Sequence, residues 1–346
     1  MSAQALVVRA GVWSARTTRR AVIVRVALAA AILALATLAL CLGSYRVGVV
    51  DVIRALAGLA DGPIATVVLE WRLPRVLAAV LFGAALALGG AVFQSLTRNP
   101  LGSPDVIGFS AGSYTGVVGV LLLGASGYAA MAAGALAGGL ATAFAVYVLA
   151  FRRGVQGFRF IVVGIAAGAF LTALSTWFSV KADVDAALRA AVWGAGSLSI
   201  VSTASLALAA AVLACVLVAA PAAQRRLQAL ELGDDAAAML GVRVELVRAA
   251  LIVLGVVATA LVTAAAGPIS FVALAAPQIA RRLCGRDAGV DLLGSALVGS
   301  VLLIGADIVA QHAIPNISLP TGSVTVCVGG AYLVWLLMRE ARRERG

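Results

Sequence analysis

Residues 249–280 read AALIVLGVVATALVTAAAGPISFVALAAPQIA, 32 positions without one charged side chain. As a single helix this run would be about 48 Å long, against a hydrocarbon core of about 30 Å. Gly267-Pro268 is the natural break into two membrane spans. Residues 106–151 are free of charge over 46 positions, which makes two spans turned by Gly124-Ala125-Ser126-Gly127. Residues 308–338 are charge-free over 31 positions and are broken by Pro315 and Pro320. With the simpler apolar runs added, ten spans are expected, at 22–43, 74–97, 104–124, 128–150, 158–180, 201–220, 247–267, 269–284, 291–313 and 321–338. The fold class is therefore all-α, a polytopic membrane protein.

Composition agrees. Of 346 residues, 62% are hydrophobic and 12% charged; soluble domains carry about twice that charge. The 37 glycines suit helices packed backbone to backbone. Gly112/Gly116, Gly134/Gly138 and Gly164/Gly168 are spaced for such contacts.

The net charge of +11 comes almost wholly from arginine, with Lys181 the single lysine. The arginines stand between apolar runs, so they report orientation in a membrane rather than nucleic-acid binding. With the N-terminus in the cytoplasm and the spans alternating, 20 basic residues fall inside and 6 outside. The outer six are Arg46, Arg54, Arg72, Arg75, Lys181 and Arg189. Both Arg-rich ends then lie inside, which requires an even number of spans. The chain divides into a cytoplasmic N-terminal tail (1–21), one transmembrane unit (22–338) and a cytoplasmic C-terminal tail (339–346). Arg19-Arg20 before an apolar run reads as the flank of an uncleaved first span, not a secretory signal.

Two interruptions stand out. Asn99-Pro100-Leu101-Gly102-Ser103-Pro104-Asp105 separates the second and third spans. Ser103 suits the cap of the next helix, Pro104 its first position, and Asp105 the positive end of its dipole. Gly267-Pro268 opens a short segment that runs through Pro277 to Arg281-Arg282. Irregular backbone at membrane depth must be buried in protein or line a cavity, and broken segments in two halves of a transporter mark the path.

The most polar interior stretch is 221–246. Leu232-Gly233-Asp234-Asp235-Ala236 leads through Met239 and Leu240 to Gly241. Asp234 is expected as N-cap and Gly241 as the C-terminal stop of a helix of one to two turns. So short a helix needs a surface to cover Met239 and Leu240.

Several chemistries are excluded. One histidine, His312, and four scattered cysteines give neither a metal cluster nor a nucleophile pair. Lys181 is followed by Ala182, so there is no phosphate loop and no ATP site of that kind. Asp307 is the one carboxylate well inside a span, and pairing with a neighbour accounts for it better than a proton relay does. No catalytic residue, metal ligand or cofactor is assigned. An ion-coupled secondary transporter is the alternative function; a lipid-modifying membrane enzyme fits less well.

Arg72-Leu73-Pro74-Arg75, Gly83-Ala84-Ala85-Leu86-Ala87, Gly90, Gln94 and Asn99-Pro100-Leu101-Gly102-Ser103-Pro104 resemble the permease subunits of iron-siderophore and vitamin B12 ABC importers. Leu232-Gly233-Asp234, Leu240-Gly241, Gly267-Pro268-Ile269-Ser270-Phe271-Val272, Pro277, Arg281, Asp307 and Leu319-Pro320-Thr321-Gly322 extend the match over residues 65–338. The run from Gln94 to Phe109 is most similar to the ferric-enterobactin branch. Gln278, Ala273 and Ala331 depart from the His, Gly and Pro often found there. The resemblance implies a ferric siderophore as cargo and a location in the inner membrane. It also implies a second permease subunit, identical or paralogous, two cytoplasmic ATPase subunits and an external substrate-binding protein. It makes Leu232–Gly241 the helix that couples to the ATPase, and Arg72 and Arg75 the outer residues that meet carboxylates of the binding protein. Asn99, Pro100, Gly102, Ser103, Pro104, Gly267, Pro268 and Pro277 become the breaks that serve the gate.

Overall fold

A computed structural model of the chain describes residues 5–10, 13–105, 107–125, 127–150, 157–201, 203–285, 289–315 and 317–343. Val106, Ser126, Arg152, Arg153, Arg286 and Arg345, all used in the reading above, lie outside the described residues. From Arg19 onward the fold is helical. Before it, β1 (Ala5–Ala10) and β2 (Trp13–Thr18) pair as an antiparallel hairpin, with Ala5 opposite Thr18. Thr18 ends the hairpin and caps α1 (Arg19–Cys41), its hydroxyl accepting from the Ala21 N–H at 3.2 Å. The N-terminal segment thus carries a hairpin of its own.

Next come α2 (Val49–Leu56) and α3 (Pro63–Ala65), which runs through a π-helical turn, Thr66–Arg72, into α4 (Leu73–Thr97). Then follow α5 (Phe109–Leu122), α6 (Tyr128–Ala150), α7 (Gly157–Lys181) and α8 (Val184–Gly194). A 3-10 turn at Leu198–Ile200 leads to α9 (Thr203–Glu231), α10 (Asp234–Met239), α11 (Val244–Ala266) and α12 (Val272–Cys284). The last two helices are α13 (Leu292–His312) and α14 (Thr321–Arg343).

Among the described residues, six helical stretches are long and apolar enough to cross a membrane, and a seventh if the two halves of α9, bent by 42°, count as one. The six are Arg19–Cys41, Pro63–Thr97, Tyr128–Ala150, Phe158–Lys181, Val244–Ala266 and Leu292–His312. The other predicted positions also hold helices, but α5 and α12 have only 14 and 13 residues.

α5 starts at Phe109, not at 104, and Ser103 does not cap it. The intervening residues form turns instead. Asn99 Oδ1 accepts from the Leu101 N–H at 2.9 Å, and the N–H groups of Ile107 and Gly108 donate to the carbonyls of Pro104 and Asp105. Gly108, at φ +80°, is left-handed and cannot continue a helix.

α4 is the hub. In the most apolar stretch of α3–α4, 83% of residues are buried, against 6% in α1. α4 packs on α9, α11, α12 and α13. Glycines permit the closest approaches: a Cβ at Gly90 would lie 1.7 Å from the Ala273 carbonyl oxygen, and one at Gly83 would lie 2.3 Å from that of Gly299. The paired glycines behave as their spacing suggests. Those of α5 face those of α6, with a Cβ at Gly116 falling 2.0 Å from the Gly134 oxygen. With no room for side chains, the backbones gain dispersion contact in a setting where the hydrophobic effect gives no drive between helices.

Candidate functional site

The polar residues gather at one end of the bundle, where α4 and α12 finish and α9 turns through α10 into α11. Leu232 and Gly233 donate back to the carbonyls of Ala229 and Leu230, each at 3.2 Å, which ends α9. Gly233 then reverses the chain at φ +114°. Gly233, not Asp234, occupies the N-cap position, and Asp234 becomes the first residue of α10. The physical reason is competition for its carboxylate. Both Asp234 oxygens accept from Arg248 Nη2 at 2.9 Å, and Arg98 Nη2 stands 3.8 Å away. Gly241, at φ +80°, closes the helix as its position suggested, with its N–H on the Ala238 oxygen at 2.9 Å.

α10 has two unlike faces. Ala237 is fully buried beneath it, whereas Leu232, Met239 and Leu240 are 69%, 89% and 66% exposed. Three apolar side chains exposed together at a bundle end make the kind of patch that marks an interaction site. Covering each would contribute about 1.5–3 kcal/mol. Asp235 adds a carboxylate on the first turn beside Asp234.

The helix is tied to the spans by charge. Arg248, near the start of α11, holds Asp234 and also Glu245 at 3.1 Å. Glu231, at the end of α9, accepts from Ser95 of α4 at 3.1 Å and from Arg281 of α12 at 3.2 Å. Arg98, left-handed at the end of α4, donates to the Leu230 oxygen at 3.2 Å. α10 is thus joined to α11 by the Asp234–Arg248 ion pair, and the end of α9 that leads into it is joined to α12 by the Glu231–Arg281 ion pair and to α4 by hydrogen bonds from Ser95 and Arg98. Arg98, Arg248, Glu231 and Ser95 were not assigned to the site from the sequence. Their one signal was charge or polarity at the end of an apolar run.

The two interruptions meet. Gln94 of α4 donates to the Leu274 oxygen at 2.9 Å, and Gln278 of α12 donates to the Pro100 oxygen at 2.7 Å. Pro100 thus faces the segment that contains Pro277. Gly102 packs near Thr97, and Ser103 is 2% exposed. At the second break the carbonyl groups left over by α11 find donors: Ala266 from the Ser197 N–H at 2.7 Å, and Ala265 from the Tyr128 hydroxyl at 2.6 Å. Gly267 turns at φ +75°, and the Pro268 oxygen lies 2.2 Å from where a Gly196 Cβ would stand. Irregular backbone is thereby buried in protein. The segment re-enters helix through Phe271, whose φ of +79° is strained for a residue with a side chain.

Arg72 and Arg75 sit at the opposite end of α4. Arg72 donates to the backbone oxygens of Leu40 and Tyr45, pinning the end of α1. Arg75 donates to both oxygens of Asp307 and, through Nη1, to Ser199 at 2.7 Å. Asp307 is paired, as its isolation in an apolar span required.

Residues 28–339 match the model of the FecCD transport family. The chain is 46% identical over 302 residues to the ferric enterobactin transport system permease protein FepG of Escherichia coli, covering 87% of this chain and 91% of that protein. It is 32% identical over 335 residues to the Fe(3+)-citrate import system permease protein YfmE of Bacillus subtilis, covering 95% and 98%. A solved inward-facing metal-chelate type ABC transporter shares the fold, with a TM-score of 0.79 at 24% identity over 92% of this chain and 99% of that one. A match over nine-tenths of the polypeptide, with apolar helices at the expected places, makes this chain a member of the FecCD transport family.

Proposed function

We propose that the chain is the membrane-spanning permease subunit of an ABC importer that carries a ferric siderophore across the inner membrane. The observation that carries the reading is the exposed trio Leu232, Met239 and Leu240 on and beside α10, which is anchored to α11 through Asp234–Arg248 and follows directly on Glu231, itself bonded to α4 and α12. It is a grip for a soluble motor. The chain has no phosphate loop, so the energy comes from two cytoplasmic ATPase subunits bound there. Their closure on ATP moves α10, and the ion pairs of Arg248 and Glu231 pass the motion to α4, α11 and α12. The spans then switch which side is open, as a bistable bundle biased from outside. The cargo assignment follows the named role of FepG.

The reading includes ten spans with both ends cytoplasmic. The 20-to-6 division of basic residues supports that orientation. α5 and α12, about 21 Å and 20 Å long as helices, reach through the bilayer with help from the buried turns at Asn99–Gly108 and Gly267–Phe271. A second permease subunit completes the path, and an external substrate-binding protein delivers the cargo. Arg72, a half-buried residue whose guanidinium already holds the Leu40 and Tyr45 oxygens, meets a carboxylate of that protein through its remaining N–H groups, and Arg75 holds the end of α4 in place for it. The breaks at Asn99, Pro100, Gly102, Ser103, Pro104, Gly267, Pro268 and Pro277 form the moving part of the gate. A self-powered ion-coupled carrier finds little support, because Asp307 is engaged with Arg75.

The test is Met239→Glu. The variant inserts in the membrane but no longer co-purifies with the ATPase subunits. A complex that survives intact, or uptake into liposomes driven by a proton gradient with no ATPase added, overturns the reading.

A further inference from the structure

We propose that α2 is an in-plane helix that lies on the outer surface of the bilayer, with one face in the lipid. The inference rests on the reading of α1 as a membrane span. At about 100° per residue, the eight residues of α2 divide into three sectors. Val52 and Ala55, 2% and 1% exposed, face the protein. Beside them Val49, Ile53 and Leu56 share one face, within about 60° of one another, and are 52%, 60% and 50% exposed. Val50, 69% exposed, extends that face. Asp51 and Arg54 take the side roughly opposite. A helix at the rim of a bundle needs this order of protein, lipid and water around its axis if it lies in the interface.

The surroundings select lipid as the occupant. α2 follows the end of α1, the candidate span with the least buried apolar stretch, whose Leu33 and Leu38 on the half towards α2 are 69% and 44% exposed. The apolar face of α2 thus continues a lipid-facing surface. Tyr45 and Trp71, 50% and 68% exposed, flank α2 in sequence and in the π-helical turn it packs on. Aromatic side chains with a polar tip are enriched at this depth. The geometry is also held: Arg72 bonds the Leu40 and Tyr45 oxygens on either side of the turn between α1 and α2. A Cβ at Gly43 would lie 2.3 Å from Arg72 Nη2, so the guanidinium fills the inside of that turn.

The test uses the complete transporter in native-lipid membranes, with the external binding protein present. A benzophenone-bearing amino acid is placed singly at Ile53, at Leu56 and, as control, at Arg54, and adducts are read by mass spectrometry after irradiation. Phospholipid adducts at Ile53 and Leu56, several-fold above the yield at Arg54, are expected. Adducts to the binding protein or the second permease at Ile53 and Leu56, or no lipid adduct above the Arg54 level, overturn the proposal. The two positions are read separately, so one poorly inserted variant does not decide the outcome. ATPase co-purification is scored on the same samples, so a failure here is distinguishable from a failure of the importer reading.

Discussion

Arg75 of α4 and Asp307 of α13, 232 residues apart, close a two-pronged ion pair with Nε on Oδ2 and Nη2 on Oδ1, both at 2.9 Å. The carboxylate is completed by Gln311 at 2.7 Å and by Thr321, the first residue of α14, at 2.8 Å. The Arg75 and Asp307 side chains are 17% and 3% exposed. One buried charge pair therefore fastens α4, α13, α14 and the turn of Ser199 at a single point.

Removing one partner of such a pair leaves a buried charge without compensation. Asp307→Asn is expected to destabilise the protein by about 3–5 kcal/mol. The double variant Arg75→Met, Asp307→Leu recovers most of that loss, since two apolar groups leave no charge unpaired. Thermal unfolding in detergent micelles measures both; equal loss in single and double variants would contradict the pairing argument.

Arg248→Gln separates grip from transmission. Leu232, Met239 and Leu240 stay exposed, so the ATPase subunits still bind. The clamp on Asp234 is lost, and coupling between ATP hydrolysis and uptake falls by about 0.5–2 kcal/mol, roughly two- to thirty-fold. The ratio of cargo moved to ATP split in proteoliposomes is the measurement. An unchanged ratio shows that force travels by another route.

Gly90→Ala forces a methyl onto the Ala273 carbonyl, 1.7 Å from where its carbon would be built. α4 and α12 must separate, at about 1–3 kcal/mol or more. Gly119→Ala meets open space on α5 and gains helix propensity. The first variant is expected to melt well below the parent and the second at or above it. A neutral Gly90→Ala would mean that α12 can slide.

Gln278 donates to the Pro100 oxygen, which a histidine ring N–H can also do. Gln278→His is expected to keep parental stability and uptake. Gln278→Ala leaves the carbonyl without that donor and costs about 1 kcal/mol. Paired melting curves decide it, and equal curves for the two variants refute the donor role.

Much of the helix register was legible in the sequence, because a membrane leaves few choices. Charge-free runs near twenty residues can only be helices there, and α1, α6, α11 and α13 fall close to their predicted bounds. The start of α5 was not legible. Ser103-Pro104-Asp105 has every local mark of an N-terminus, yet Ser103 is needed in the interior and the chain turns again at Gly108 before it can coil. Asp234 failed as a cap for a similar reason. Arg248, fourteen residues away, outbids the local N–H groups, and a charged donor is worth about twice a neutral one. The candidate site was legible as a segment but not as a mechanism. Met239, Leu240 and Gly241 stand where the pattern put them, while the links through Glu231, Ser95 and Arg281 join residues with no periodicity between them.

Composition and hydropathy alone determined that this polypeptide is helical and lies in a membrane, since hydrophobic length acts residue by residue. Which arginine meets which carboxylate, which glycine admits which backbone, and which face of α10 is left bare were decided only when the helices packed. Those outcomes depend on distances between residues remote in the chain, and neither hydropathy nor local propensity carries that information.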